Sequence, residues 1–218
     1  MTVLICFDIH YILFQDYQEN GTQSRLSVYS VKPNTTIRLV VILYAIPEKF
    51  NHVVFDLYWD FPSTGADHLD ATCLLFKGKW PEDICDFQNN QYTEAVYHSG
   101  DHMDYSNRKG HHTINVALKE LPTDISHLFF TLSAWNSPTI ANYPNPSLRF
   151  YEEDKPDEDL CKTTFQHAGS SQAVIMCSVS RNRYGRWEIF DSGQVSKGNA
   201  MNYEPLMNTI ASLIGQGI

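Results

Sequence analysis

His127-Leu128-Phe129-Phe130-Thr131-Leu132-Ser133-Ala134-Trp135 is the stretch that decides the fold. It is a short apolar run, and seven more of its kind lie along the chain. Upstream are Thr113–Leu118, which alternates with period two, then Thr72–Phe76, Val53–Trp59 and Thr36–Leu43. Downstream are Ser147–Tyr151, Ala173–Val179 and Arg186–Phe190. β-branched and aromatic residues dominate these runs, and Gly, Pro, Asn and Asp punctuate them. Lys77-Gly78-Lys79 closes one run as a turn. Many short strands separated by turn signals predict a mainly β chain, built as a sandwich or barrel.

One helix is expected, at the end of the chain. Pro205–Ile214 places Leu206, Ile210 and Leu213 at i, i+4 and i+7, with Pro205 in its first turn and Gly215 to stop it. Such a stripe docks on a sheet. Arg149–Asp159 holds Glu152, Glu153, Asp154, Asp157, Glu158 and Asp159 around Pro156, and reads as a solvated hairpin tip.

Hydrophobic residues make up 43 % of the 218, enough for one sizeable core. The formal charge is -9, from 25 acids against 16 bases. An acidic surface repels phosphate backbones and argues against a nucleic-acid partner. No run reaches the roughly 18 apolar residues of a membrane span. Cys6, Cys73, Cys85, Cys161 and Cys177 are odd in number and show no CxxC pair, so buried, reduced thiols are expected. Met1–Phe7 is apolar but short, with no basic residue before it, and reads as a strand or an appendage. A cytoplasmic location is expected; sequons at Asn20 and Asn34 keep secretion as the alternative.

Four anchors, in order, carry a family resemblance. Trp59-Asp60 precedes Leu69-Asp70-Ala71 and its apolar strand. Phe87-Gln88-Asn89-Asn90 precedes Val96-Tyr97-His98-Ser99-Gly100-Asp101. Ile114-Asn115-Val116-Ala117-Leu118 is followed by Leu121-Pro122 and Ile125. Arg181 opens a hairpin that turns at Gly185 and returns through Trp187, Phe190, Gly193 and Gln194. Over about residues 31–214 the chain resembles the tellurite-resistance TerD family.

The resemblance implies a β-sandwich of two antiparallel sheets with a short C-terminal helix over residues 31–218. Residues 1–30 would be an extension, either an added strand or a loose arm. It also implies a non-enzymatic binding or stress-response module whose acidic loops take calcium. The ligands it implies here are Asp60, Asp70, Asn90 and Asp101, with Asp67, Asn89 and Asp104 as further oxygens. The chain departs from the family in that loop. His111 and His112 stand in place of closing acids, His68 replaces the first acid of an Asp-Leu-Asp triplet, and Arg108 and Lys109 have entered. Affinity for calcium rises with carboxylate count, so at most one weakened site is expected. The alternative is a metal-free structural or protein-interaction subunit, its loop held by Asp101 against Arg108 or Lys109.

Other chemistry finds less support. No GxSxG elbow, P-loop or GxGxxG occurs, so neither nucleophilic catalysis nor an organic cofactor is expected. His98, His102, His111 and His112 lie close in sequence, and imidazole suits zinc or copper. His111 and His112 are adjacent, so an extended chain points them to opposite sides. Trp59, Trp135 and Trp187 are expected in the core, and Trp80 exposed in a turn. Tyr143-Pro144-Asn145-Pro146 reads as a stiff loop.

Overall fold

Side chains alternate across a strand, so a strand buried on one face alternates and one buried on both does not. Both kinds are present in a computed structural model that describes residues 2–7, 37–165 and 170–217. One sheet has the order β1 (Thr2–Phe7), β2 (Ile37–Ala45), β14 (Trp187–Ser196), β13 (Ala173–Arg181), β10 (His127–Ala134), β4 (Leu69–Lys77), β5 (Trp80–Cys85). The other has the order β12 (Cys161–Thr164), β11 (Ser147–Glu152), β3 (His52–Asp60), β9 (Lys109–Ala117), β7 (Val96–His98), β6 (Gln91–Tyr92). β8 (His102–Asp104) pairs with β9 off that path. Neighbouring strands are antiparallel, as in the central pairs β10–β13, β10–β4 and β3–β9.

The sheets close face to face over one core. Phe55 of β3 stacks on Phe130 of β10 with ring centroids 3.8 Å apart, and Phe150 of β11 lies 5.0 Å from Phe55. Trp59, Leu57, Leu75, Leu128, Leu132 and Val179 fill the space around them. Phe129 points the other way. With Leu74, Phe76, Ala173 and Ile175 it meets Leu206, Ile210 and Leu213 of α1 (Glu204–Gly215). Burying each such side chain stabilises by about 1.5–3 kcal/mol. The helix thus covers the outer face of β4, β10 and β13, which is why those runs carry so little polar alternation. The outer face of β9 faces solvent, and β9 alternates.

Several expectations meet corrections. Trp80 is exposed as expected, but it opens a strand rather than sitting in a turn. β5 is a sheet edge, where Pro81 removes no needed hydrogen bond, and the β4–β5 register shifts beside it, skipping Glu82 of β5. Trp135 lies just beyond β10, half-buried against Phe87 at 5.7 Å, while Trp59 and Trp187 are core residues. Cys73, Cys85, Cys161 and Cys177 are free, and Cys161 is only partly buried. Of the expected extension, Thr2–Phe7 forms β1 against β2. Residues 8–30 and both sequons lie outside the described residues. Among the described residues, no helix is long and apolar enough to cross a membrane.

Candidate functional site

The end of β3, the start of β4 and the β7–β9 links meet at one end of the sandwich. The loop between β3 and β4 is pinned there. Trp59 Nε1 donates to the Asp67 carbonyl at 3.0 Å, and Asp67 Oδ1 accepts the His68 amide at 2.8 Å. Asp67 Oδ2 accepts the Tyr143 hydroxyl at 2.7 Å. The stiff Tyr143–Pro146 loop is therefore a buttress of this end. Its Pro144 carbonyl also accepts the Asp60 amide, and its Asn145 amide donates to Asp60 Oδ2 at 2.7 Å.

Asp70, near the start of β4, is 7 % exposed, and its Oδ2 is buried without a hydrogen-bond partner. Burial pushes its carboxyl up to about 7, and the charges of Asp101, Asp86 and Asp67 push the same way. Asp86 was not foreseen, although it directly precedes the Phe87–Asn90 anchor and has the spacing of an Asx turn. Its Oδ1 accepts the amides of Gln88 and Asn89, both at 2.8 Å. Its Oδ2 accepts the Tyr203 hydroxyl at 2.8 Å, and that hydroxyl lies 2.9 Å from Thr72 Oγ1. Tyr203, the residue just before the C-terminal helix, is thereby tied to the acidic cluster.

A histidine relay borders Asp70. His98 Nδ1 accepts the Gly100 amide at 3.0 Å, so its proton sits on Nε2. That nitrogen faces the Ala71 carbonyl at 3.1 Å and His112 Nδ1 at 3.0 Å. His112 then carries its proton on Nε2, which stands 3.0 Å from Asp101 Oδ1, within ion-pair reach but out of hydrogen-bond alignment. His68 Nδ1 approaches Asp101 Oδ2 at 3.4 Å. Burial pulls His98 down to about 4 and lowers His112 as well. Asp101 is held below the usual carboxylate range, chiefly by His112.

Of the seven oxygen-bearing residues named from sequence, Asp70, Asp67 and Asp101 come together. Asp60 is taken by Asn145. Asn89 donates to the Ile84 carbonyl at 2.7 Å, and the Asn90 carbonyl accepts the His98 amide. Asp104 closes the β8–β9 hairpin, accepting from Ser106 Oγ, the Asn107 amide and Asn107 Nδ2. Asp101 pairs with neither Arg108 nor Lys109. Arg108, whose backbone stands at φ 55°, reaches the Pro62 carbonyl at 3.0 Å instead. No group of three or more His, Cys, Asp or Glu among the described residues is arranged to hold a metal ion as it stands.

Comparison with known proteins bears on the family and the fold. A family model for the TerD domain matches residues 41–203. The tellurium resistance protein TerZ of Serratia marcescens is 26 % identical over 161 residues, which is 68 % of this chain and 82 % of that one. The solved structure of SAV2460, a protein of unknown function, superposes with a TM-score of 0.60 at 18 % identity, over 73 % of this chain and 98 % of that one. SCO6318 of Streptomyces coelicolor A3(2), described as a homologue of telluride resistance protein (TerD), gives 0.59 at 16 % identity, over 72 % and 97 %. At such identities the two structures speak for the fold alone.

Proposed function

The chain belongs to the TerD family, and on that footing we propose that it is a non-enzymatic binding module of the stress-response kind, with one weak calcium site at the Asp70 end. The observation that carries this reading is the Asp70 carboxyl. It is buried, one oxygen lacks a donor, and burial, helped by the charges of three other acids, raises it to about 7. A bound cation would supply the missing positive charge. Asp70 and Asp101, of the ligands implied by the family, stay at the centre of this site, with Asp67 and Asp86 beside them.

The same neighbours make the site weak. Calcium takes six to eight oxygens, and those of Asp67 and Asp86 already accept O–H and N–H donors. Binding has to draw the loops together rather than fill a finished cage. Catalysis by a cysteine thiolate is disfavoured, since burial pushes Cys85 up to about 12 and Cys161 to about 11. We place the module in the cytoplasm, acting through a protein partner.

A second reading, a metal-free interaction subunit, is favoured by one observation. His68 and His112, two positions where the chain departs from the family pattern, both face Asp101. Melting of the chelator-treated protein separates the two. A ligand that binds only the folded state raises the melting temperature. The calcium reading expects a rise at millimolar calcium that Asp70→Ala abolishes; the metal-free reading expects none.

A further inference from the structure

The outer face of the second sheet carries another pair of imidazoles, on the opposite side of β9 from His112. β8 pairs with β9 so that His102 stands opposite His111, and β9 pairs with β3 so that His111 stands opposite Tyr58. Three rings therefore line up across three strands. Tyr58 and His111 are stacked, with centroids 4.9 Å apart and planes 5° apart. His102 lies 5.0 Å beyond His111, tilted by 36°. Directly opposed residues on antiparallel strands hold their Cβ atoms roughly 4.5–5.5 Å apart, a span from which two imidazoles can converge on one ion.

The inner partner of this pair is already oriented. His111 Nδ1 lies 2.8 Å from Asp56 Oδ1, and Asp56 is 3 % exposed. The other carboxylate oxygen accepts the Tyr58 hydroxyl at 2.5 Å. A carboxylate at Nδ1 fixes the proton there and leaves the Nε2 lone pair free. Metal-ligating histidines are held by this kind of support. Arg149 steadies the support from behind. Its Nη1 reaches the Tyr58 hydroxyl at 3.4 Å, while Asp159 and the Pro156 carbonyl fix the rest of the guanidinium at 2.6 and 2.8 Å.

The outer partner is free to adjust. His102 is exposed, and no hydrogen bond or ion pair to the described residues holds it. Its hairpin is nevertheless well defined, because the Asp104 carboxylate closes the turn with three hydrogen bonds.

From this geometry we propose that His102 and His111 form a two-imidazole site for a divalent transition ion of the zinc and copper class, with Asp56 as positioning residue and water completing the coordination. Imidazole nitrogen suits these ions, whereas calcium takes oxygen, so the site is chemically separate from the Asp70 cluster. Two protein ligands, not four, make it an exchangeable surface site rather than a closed structural one.

The test is Zn2+ titration of the chelator-treated full chain by calorimetry, with His102→Ala, His111→Ala, Tyr58→Phe and His68→Ala alongside. A zinc site lost in His102→Ala and in His111→Ala, and kept in His68→Ala, is expected. Tyr58→Phe keeps the ring but frees Asp56, and should weaken zinc by up to roughly 10-fold, the low end of the range for outer-shell partners. Cu2+ electron paramagnetic resonance should show couplings from two imidazole nitrogens, falling to one in His102→Ala. Because His102 is exposed, its truncation leaves the fold intact and the result can be read. Zinc affinity unchanged in His102→Ala, or no zinc binding by the wild type, overturns the proposal.

Discussion

His112 Nε2 stands 3.0 Å from Asp101 Oδ1, a buried imidazole set against a half-exposed carboxylate at the loop end of the sandwich. His68 approaches the other oxygen of the same carboxylate at 3.4 Å. Substitutions that looked scattered in the sequence thus converge on one acid. They leave Asp70, deeper in, as the carboxyl whose charge is least compensated.

That isolation sets a pH dependence. Asp70 holds its proton up to about pH 7 in the folded chain but only to about 3.8 when unfolded. Between those values the folded state binds the extra proton, so the stability this group contributes at low pH is lost as pH rises through 7. Asp70→Asn removes the penalty. Without calcium, urea unfolding should find the variant more stable than wild type at pH 8, by on the order of a few kcal/mol, with little difference at pH 4. A less stable variant at pH 8 would count against the burial described.

Two histidines tilt stability the other way. His98 and His127 are each pulled down to about 4 by burial. The unfolded chain takes up their protons first, so the stability they contribute near neutrality is lost as pH falls from about 6.5 towards 4. His127 Nδ1 lies 2.7 Å from Ser180 Oγ, and His127→Gln, which can still reach that hydroxyl, should flatten this part of the profile. An unchanged slope between pH 6.5 and 4 would show that His127 titrates normally.

Gly110 leaves room for the Trp59 indole, and a Cβ added there would land on that ring. Trp59 is fully buried and also pins Asp67. Gly110→Ala should therefore cost about 1–3 kcal/mol or more, as overpacked cores do, and should loosen the loop that carries Asp67. Denaturant unfolding measures the first effect, and amide exchange at His68 the second.

Tyr203 joins the helix to the acidic cluster through Asp86 and Thr72. Tyr203→Phe keeps the ring and removes the hydroxyl, leaving a buried carboxylate oxygen without its donor. A loss of about 1–3 kcal/mol is expected. A neutral result in thermal unfolding would mean that water replaces the hydroxyl.

Much of the fold was legible because it rests on period and burial. His127–Trp135 read as a strand, and both of its faces proved to be covered, one by Phe55 and its neighbours and the other by α1. β5 was not legible, since Pro81, Glu82 and Asp83 suit a sheet edge and resemble a turn. The site was legible in part. Asp70 and Asp101, 31 residues apart, come within electrostatic reach because the start of β4 and the β7–β8 link share one end of the sandwich. Asp60 sits on the neighbouring strand end but turns to Asn145, a contact 85 positions away that no local pattern announces. Asp86 hid for the opposite reason, as an ordinary turn-capping acid whose second role depends on Tyr203.

The proposed calcium site at the Asp70 end has to hold despite the histidines around Asp101. Calorimetric titration of the chelator-treated protein with calcium, beside Asp70→Ala and Asp101→Ala, tests it most directly. The wild type should bind one calcium weakly, and both variants should lose that binding. No heat of binding in the wild type, or binding that survives Asp70→Ala, would contradict it.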